Sequence, residues 1–185
     1  VLGACSDDDS NGGGTGPVDT ENPSDTNGTV DPVNTTLSGD ISEDMTLTAD
    51  EEWAISGFVY VEEGVTLTVE AGTMIKSSGK SALIIERGGK IMAKGTASEP
   101  IVFTSSQSSP ISGDWAGIVI LGKAPVSTAE GESPFEANPD DLFGGDDASD
   151  NSGTLEYVVV EYAGLEVAPE KELNGITFGG VGSGT

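Results

Sequence analysis

Three features of the sequence point to an all-β fold wound as a solenoid of parallel β-coils. Short runs of apolar and β-branched residues recur from Ile41 onward, and no ten-residue stretch carries a helical period. Two of these runs repeat one another without a gap, which is how a chain of stacked supersecondary units announces itself. Glycine stands where successive runs meet, at the corners where a positive φ costs least.

Taken in order, the expected strands are 45–48, 53–61, 65–69, 82–86, 90–93, 101–104, 117–121, 155–162 and 175–178. Residues 59–69 (VYVEEGVTLTV) lie over 83–93 (LIIERGGKIMA) at an offset of 24, so that Glu62 meets Glu86, Gly64 meets Gly88 and Leu67 meets Ile91. Each block soon ends in Gly-Thr, at Gly72-Thr73 and Gly95-Thr96. One such unit is a coil of a β-solenoid. Alternation then assigns faces: Leu67 and Val69 inward with Thr66, Thr68 and Glu70 outward, and Val158, Val160 and Tyr162 inward opposite Tyr157, Val159 and Glu161. A β-sandwich of hairpins is the competing fold. It fits less well, because the similarity repeats per coil and the hairpin dipeptides Asn-Gly and Asp-Gly are missing between most strands. Residues 41–56 read as a cap over the first coil, with Trp53 filling its core.

Charge narrows the function. Seven basic residues face thirty-two acidic ones, giving a formal net charge of −25, and the first basic residue is Lys76. No nucleic acid is expected as a partner, and an anionic polysaccharide would be repelled at long range unless cations screened or bridged the charge. There is no histidine, which removes Ser-His and Cys-His nucleophiles together with the commonest transition-metal ligand. The single cysteine, Cys5, cannot form an intrachain disulfide.

The amino terminus reads as an address. Leu2-Gly3-Ala4-Cys5 resembles the bacterial lipobox, so that residues 1–4 are read as the remnant of a signal peptide and Cys5 as the lipid attachment site. A two-chain lipid with an added acyl chain would anchor the protein stably to a membrane. Ser6, Asp7, Asp8 and Asp9 resemble the export signal of surface lipoproteins in Bacteroidetes-type bacteria; the alternative is an acidic run with no sorting meaning. Residues 5–38 are expected to form a flexible acidic tether, since Gly, Asn, Thr, Asp, Pro and Ser dominate it and cannot offset the ordering entropy. Some thirty such residues would hold the body about 30 Å from its anchor. The sequons at Asn27 and Asn34 are read as chance matches in so Asn- and Thr-rich a stretch.

Residues 39–185 are expected to be the solenoid body. Gly39-Asp40-Ile41, residues 53–76, the string Gly113-Asp114-Trp115-Ala116-Gly117-Ile118-Val119-Ile120-Leu121-Gly122-Lys123-Ala124-Pro125 and residues 151–158 resemble a largely uncharacterised group of Bacteroidetes surface lipoproteins. That resemblance implies a right-handed parallel β-helix, an outer-membrane location with the body exposed at the cell surface, and further coils beyond Thr185. An edge left at Gly-Ser-Gly-Thr would also expose unpaired strands.

Between the strands ending at Leu121 and beginning near Gly153, residues 122–153 form an excursion too long for a simple connection. It carries Asp140, Asp141, Asp146, Asp147 and Asp150, a carboxylate density that could hold calcium, although no EF-hand or β-roll spacing is present. A solvated acidic loop is the alternative. Phe135 is the candidate for an exposed sugar-stacking ring, whereas Trp115 opens an apolar strand and is expected to be buried. A calcium-dependent polysaccharide lyase would need a basic residue near the sugar, for which Arg87, Lys90 and Lys94 are the only cluster. A hydrolase would need paired carboxyls, which Asp140, Asp141, Asp146 and Asp147 could supply. The expectation drawn from all this is a lipid-anchored β-helical scaffold for binding or adhesion, with glycans as the ligand class. A calcium-dependent lyase or hydrolase and a purely structural surface-layer role are the alternatives.

Overall fold

The computed structural model describes residues 35–169 and 171–185. Sixteen strands and no helix occur among them, so no described helix is long and apolar enough to cross a membrane.

Coil follows coil. The first contains β1 (Thr36–Ile41) and β2 (Met45–Leu47), and the second β3 (Glu52–Val61) and β4 (Thr66–Val69). The third contains β5 (Met74–Ser77), β6 (Gly79–Ile85) and β7 (Lys90–Lys94). The fourth runs from β8 (Ile101–Ser105) to β9 (Trp115–Leu121), makes an excursion carrying β10 (Glu132–Pro134) and β11 (Leu142–Gly144), and returns as β12 (Gly153–Glu156). The fifth begins with β13 (Val158–Val160), makes a second excursion carrying β14 (Glu166–Ala168) and β15 (Lys171–Glu172), and ends in β16 (Ile176–Gly179).

Every strand of the coils pairs in parallel with its counterparts in the coils before and after it, and the result is three faces. On the first, the opening half of β3 pairs with β1 and β5, followed by β8 and β13. The second joins the closing halves of β1 and β3 to β6, β9 and β16. The third stacks β2, β4, β7 and β12. Among the described residues only the two excursions pair antiparallel, β10 with β11 and β14 with β15. The chain is therefore a parallel β-helix, and the 24-residue self-similarity is its hydrogen-bond register: Val59 pairs with Leu83 and Leu67 with Ile91.

The interior is a set of aligned apolar stacks. Val59, Leu83 and Ile118 stand in one column and Leu47, Val69 and Ala93 in another, all buried. Each fully buried Leu or Ile contributes roughly 1.5–3 kcal/mol on leaving water. Leu67 and Val69 face inward and Thr66, Thr68 and Glu70 outward, as alternation requires. Trp53 and Trp115 are buried, and each indole N–H is satisfied, by the Thr48 carbonyl at 3.0 Å and the Glu161 carbonyl at 2.8 Å.

Four expectations are corrected. Residues 41–56 do not cap the stack, because β1 and β2 already form a coil in register with the next, and β1 begins at Thr36, ahead of the expected boundary at 39. The run 155–162 is two strands on two faces, since Tyr157 turns the chain at φ 47. Tyr162 turns it again at φ 58 and stands exposed instead of joining Val158 and Val160 against the core.

Candidate functional site

The second face is apolar on both sides. In β9, Ile118 and Ile120 point into the coil, while Ala116, Val119 and Leu121 point out and join Ala82 and Ile84 of β6 in a second buried cluster. An outward apolar strip on a solenoid needs a cover. The two excursions supply it: Phe135 and Phe143 from the first, Leu165, Val167 and Leu173 from the second. Phe135 is only 3% exposed, so its ring anchors the excursion and is not available as a stacking platform.

Where the first excursion lifts from the coil, a cleft of about 440 Å³ opens between it and the corner that follows the second face. Six carboxylates line the cleft, Glu63, Glu86, Glu132, Asp140, Asp141 and Asp146, with Arg87 and Lys123 as the cations. Arg87 Nη1 donates to Glu132 Oε1 at 2.6 Å and to the Gly144 carbonyl at 3.1 Å, which ties the excursion to the third coil. Lys123 donates to Glu63 Oε1 from the fourth coil to the second. Next to Asp140 and Asp141 in the chain, Asn138 places its amide nitrogen 3.4 Å from the Tyr60 hydroxyl oxygen.

Protonation in the cleft is uneven. Burial raises the Glu86 carboxyl above the usual carboxylate range, and the charges of Asp141, Glu62, Asp40 and Glu63 raise it further. Asp141 is also raised, chiefly by burial and then by Asp140, with Asn138 working in the other direction. One of its carboxylate oxygens, Oδ2, is buried without a hydrogen-bond partner. Burial lifts the Tyr60 hydroxyl too, and Asp141 and Glu86 add to the effect. Glu63 is held low by the hydrogen bond and charge of Lys123. The site thus places two reluctant acids beside two cations already engaged by other carboxylates.

A family model for a pectate-lyase-like β-helix domain matches residues 39–185. The chain belongs to this family. Neither a curated protein nor a solved structure gives a significant match. A β-helix of this type is consistent with a glycan-binding or polysaccharide-active scaffold.

Within the β-helix the five aspartates part company. Asp140, Asp141 and Asp146 line the cleft. Asp147 instead accepts from the backbone N–H and hydroxyl of Ser149 at 2.9 and 2.7 Å, and Asp150 is buried, accepting from the Ser152 hydroxyl at 3.0 Å. Among the described residues no three His, Cys, Asp or Glu are grouped so as to hold a metal ion. The basic trio separates as well: Arg87 enters the cleft, while Lys90 and Lys94 lie on the third face, with Lys94 3.9 Å from Glu156. Cys5, Ser6, Asp7, Asp8, Asp9 and the sequons at Asn27 and Asn34 fall outside the described residues.

Sequence reasoning missed Glu86, Glu63, Glu132 and Lys123. A signal for Glu86 was present in the repeat that set Glu62 over Glu86, because aligned carboxylates on neighbouring coils repel and raise each other. The unbroken burial of β9 was a second signal, since a strand apolar on both faces must be covered on both.

Proposed function

We propose that this protein is a lipid-anchored, surface-displayed β-helical scaffold that binds glycan chains in the cleft between its third and fourth coils and the first excursion. One observation carries the reading: the excursion is fixed by a buried apolar cluster and by Arg87, so the polar cleft beneath it is preformed. Carboxylates and their paired cations suit sugar hydroxyls, which donate to the former and accept from the latter. With six carboxylates against two cations the cleft favours uncharged sugars over polyuronates. Anchoring through Cys5 and export through Ser6 to Asp9 would set this body beyond the membrane surface. Substituting Cys5→Ala in cells tests the anchor: the protein should lose its lipid and leave the membrane fraction, and unchanged retention would refute it.

A second reading rests on Glu86 and Asp141. A carboxyl raised by burial and by neighbouring carboxylates suits a general acid for glycosidic cleavage, and a second carboxylate beside it can act as its partner. New reducing ends released from a neutral glycan, abolished by Glu86→Gln, would select catalysis over binding.

A further inference from the structure

Among the described residues, the chain places tyrosine where it elsewhere places only glycine. Sixteen described residues have a positive φ between 47° and 152°; fourteen are glycine, and the other two are Tyr157 (φ 47) and Tyr162 (φ 58). A bulky L-residue pays backbone strain in this region that glycine escapes, and such outliers gather at functional positions. The backbone there is needed for the fold. The Tyr157 carbonyl accepts from the Ile101 N–H at 3.1 Å and the Tyr162 carbonyl from the Asp114 N–H at 2.9 Å, each closing a corner onto the coil before. Glycine would serve both corners equally. The rings, however, do not pack in the core: Tyr157 is 62% exposed and Tyr162 39%.

The two tyrosines bracket β13, at the two margins of the first face on the fifth coil. Between them Val159 is exposed, in register with Val102 and then with Met74, also exposed, and the adjoining row holds Thr104 donating to Glu161 at 3.0 Å. Glu156 and Glu161 stand directly beside the tyrosines in the chain, both exposed.

We propose that Tyr157 and Tyr162 form an aromatic subsite for an uncharged glycan lying along the first face, separate from the cleft. Flat rings take the apolar faces of sugars, and the neighbouring carboxylates accept hydrogen bonds from their hydroxyls while remaining partly hydrated. A protein partner would have to desolvate those carboxylates, and a polyanion would meet them with like charge. The proposal deepens the glycan-binding reading and rests on it, but uses different residues.

The protein has three tyrosines, and the third, Tyr60, lies within reach of the charges of the cleft carboxylates Asp141 and Glu86. Tyrosine-ring-labelled full-length chain titrated with neutral glucan, mannan and xylan hexasaccharides, and with hexagalacturonate, therefore reads both places in one NMR experiment. At least one neutral hexasaccharide should shift the Tyr157 and Tyr162 resonances, and hexagalacturonate should not. Tyr157→Asn and Tyr162→Asn, whose residue tolerates this backbone region, should each weaken binding about tenfold with the melting temperature unchanged or raised. The Phe variants should keep most of the affinity. Shifts confined to Tyr60 would leave the cleft reading standing and overturn the aromatic subsite. Asn variants that bind as the wild type does would also overturn it, and no shift at any tyrosine with any sugar would overturn both readings.

Discussion

Lys123 reaches over Gly88 to Glu63, so that one ion pair joins the fourth coil to the second across the corner of the third. A side chain at position 88 would stand 2.8 Å from the Lys123 Nζ and 3.0 Å from the Glu63 Cγ, so this glycine serves both its own φ of 86° and the passage of the pair. Together with the Arg87–Glu132 pair it frames the cleft from the coil side.

Lys123→Ala should return the Glu63 carboxyl upward to the ordinary carboxylate range, read by NMR titration of its side-chain carbon. Because the folded-state value is depressed, the stability the pair contributes is present above the ordinary glutamate range and is lost as pH falls through the depressed value. The variant should therefore show a weaker acid-side loss of stability than the parent. Equal acid limbs would mean that the pair adds nothing in solution.

The opposite sign holds for Glu86 and Asp141. Both are raised in the folded state, so the folded protein binds more protons than the unfolded chain between the ordinary carboxylate range and the raised values, and stability falls as pH rises through that window. Glu86→Gln and Asp141→Asn should raise the melting temperature at pH 7 and lose the advantage near pH 4, below which both carboxyls protonate in either state. Thermal scans at the two pH values check this.

Phe135→Ala should free the excursion without unfolding the coils. Removing a buried ring costs about 3–5 kcal/mol where the loss is fully felt. Here the loss falls on a cover packed over the outside of the second face. Hydrogen exchange should rise across 122–152 while the strands of the first three coils stay protected. Uniform acceleration would show that excursion and coils open together.

Gly153→Ala should be the most damaging single methyl among the described glycines. A Cβ there would lie 1.9 Å from the Ile91 carbonyl oxygen at a φ of 117°, and the obstacle is backbone in a paired strand. We expect a loss above about 3 kcal/mol in chemical denaturation.

The solenoid was legible because its logic is local. Coil-to-coil register appears as similarity at a fixed offset, and the inward columns appear as alternation, so Leu67 over Ile91 followed directly from the letters. The strand β5 was overlooked because Lys76 and Ser77 interrupt its apolar pattern, although Ser77 points inward and is buried. Tyr157 and Tyr162 misled because nothing in a run of valines and tyrosines signals a left-handed turn. The site was half legible: the acidic excursion was visible, but its partners on the coil, Glu63, Glu86, Arg87 and Lys123, lie up to 60 positions apart and meet only through the winding. Phe135 looked exposed because a lone aromatic in a polar loop has no period, and only the outward apolar strip of β9 reveals where it docks.

The most direct test of the account is calorimetric titration of the full-length chain with neutral hexasaccharides and with hexagalacturonate, for the parent and for the Arg87→Ala and Asp141→Asn variants. The account predicts saturable binding of a neutral sugar, little or none of the polyuronate, and a loss of about tenfold or more in each variant, the order expected when a charged hydrogen-bonding partner is removed. Tight binding of hexagalacturonate, or neutral-sugar binding unchanged by both substitutions, would contradict it.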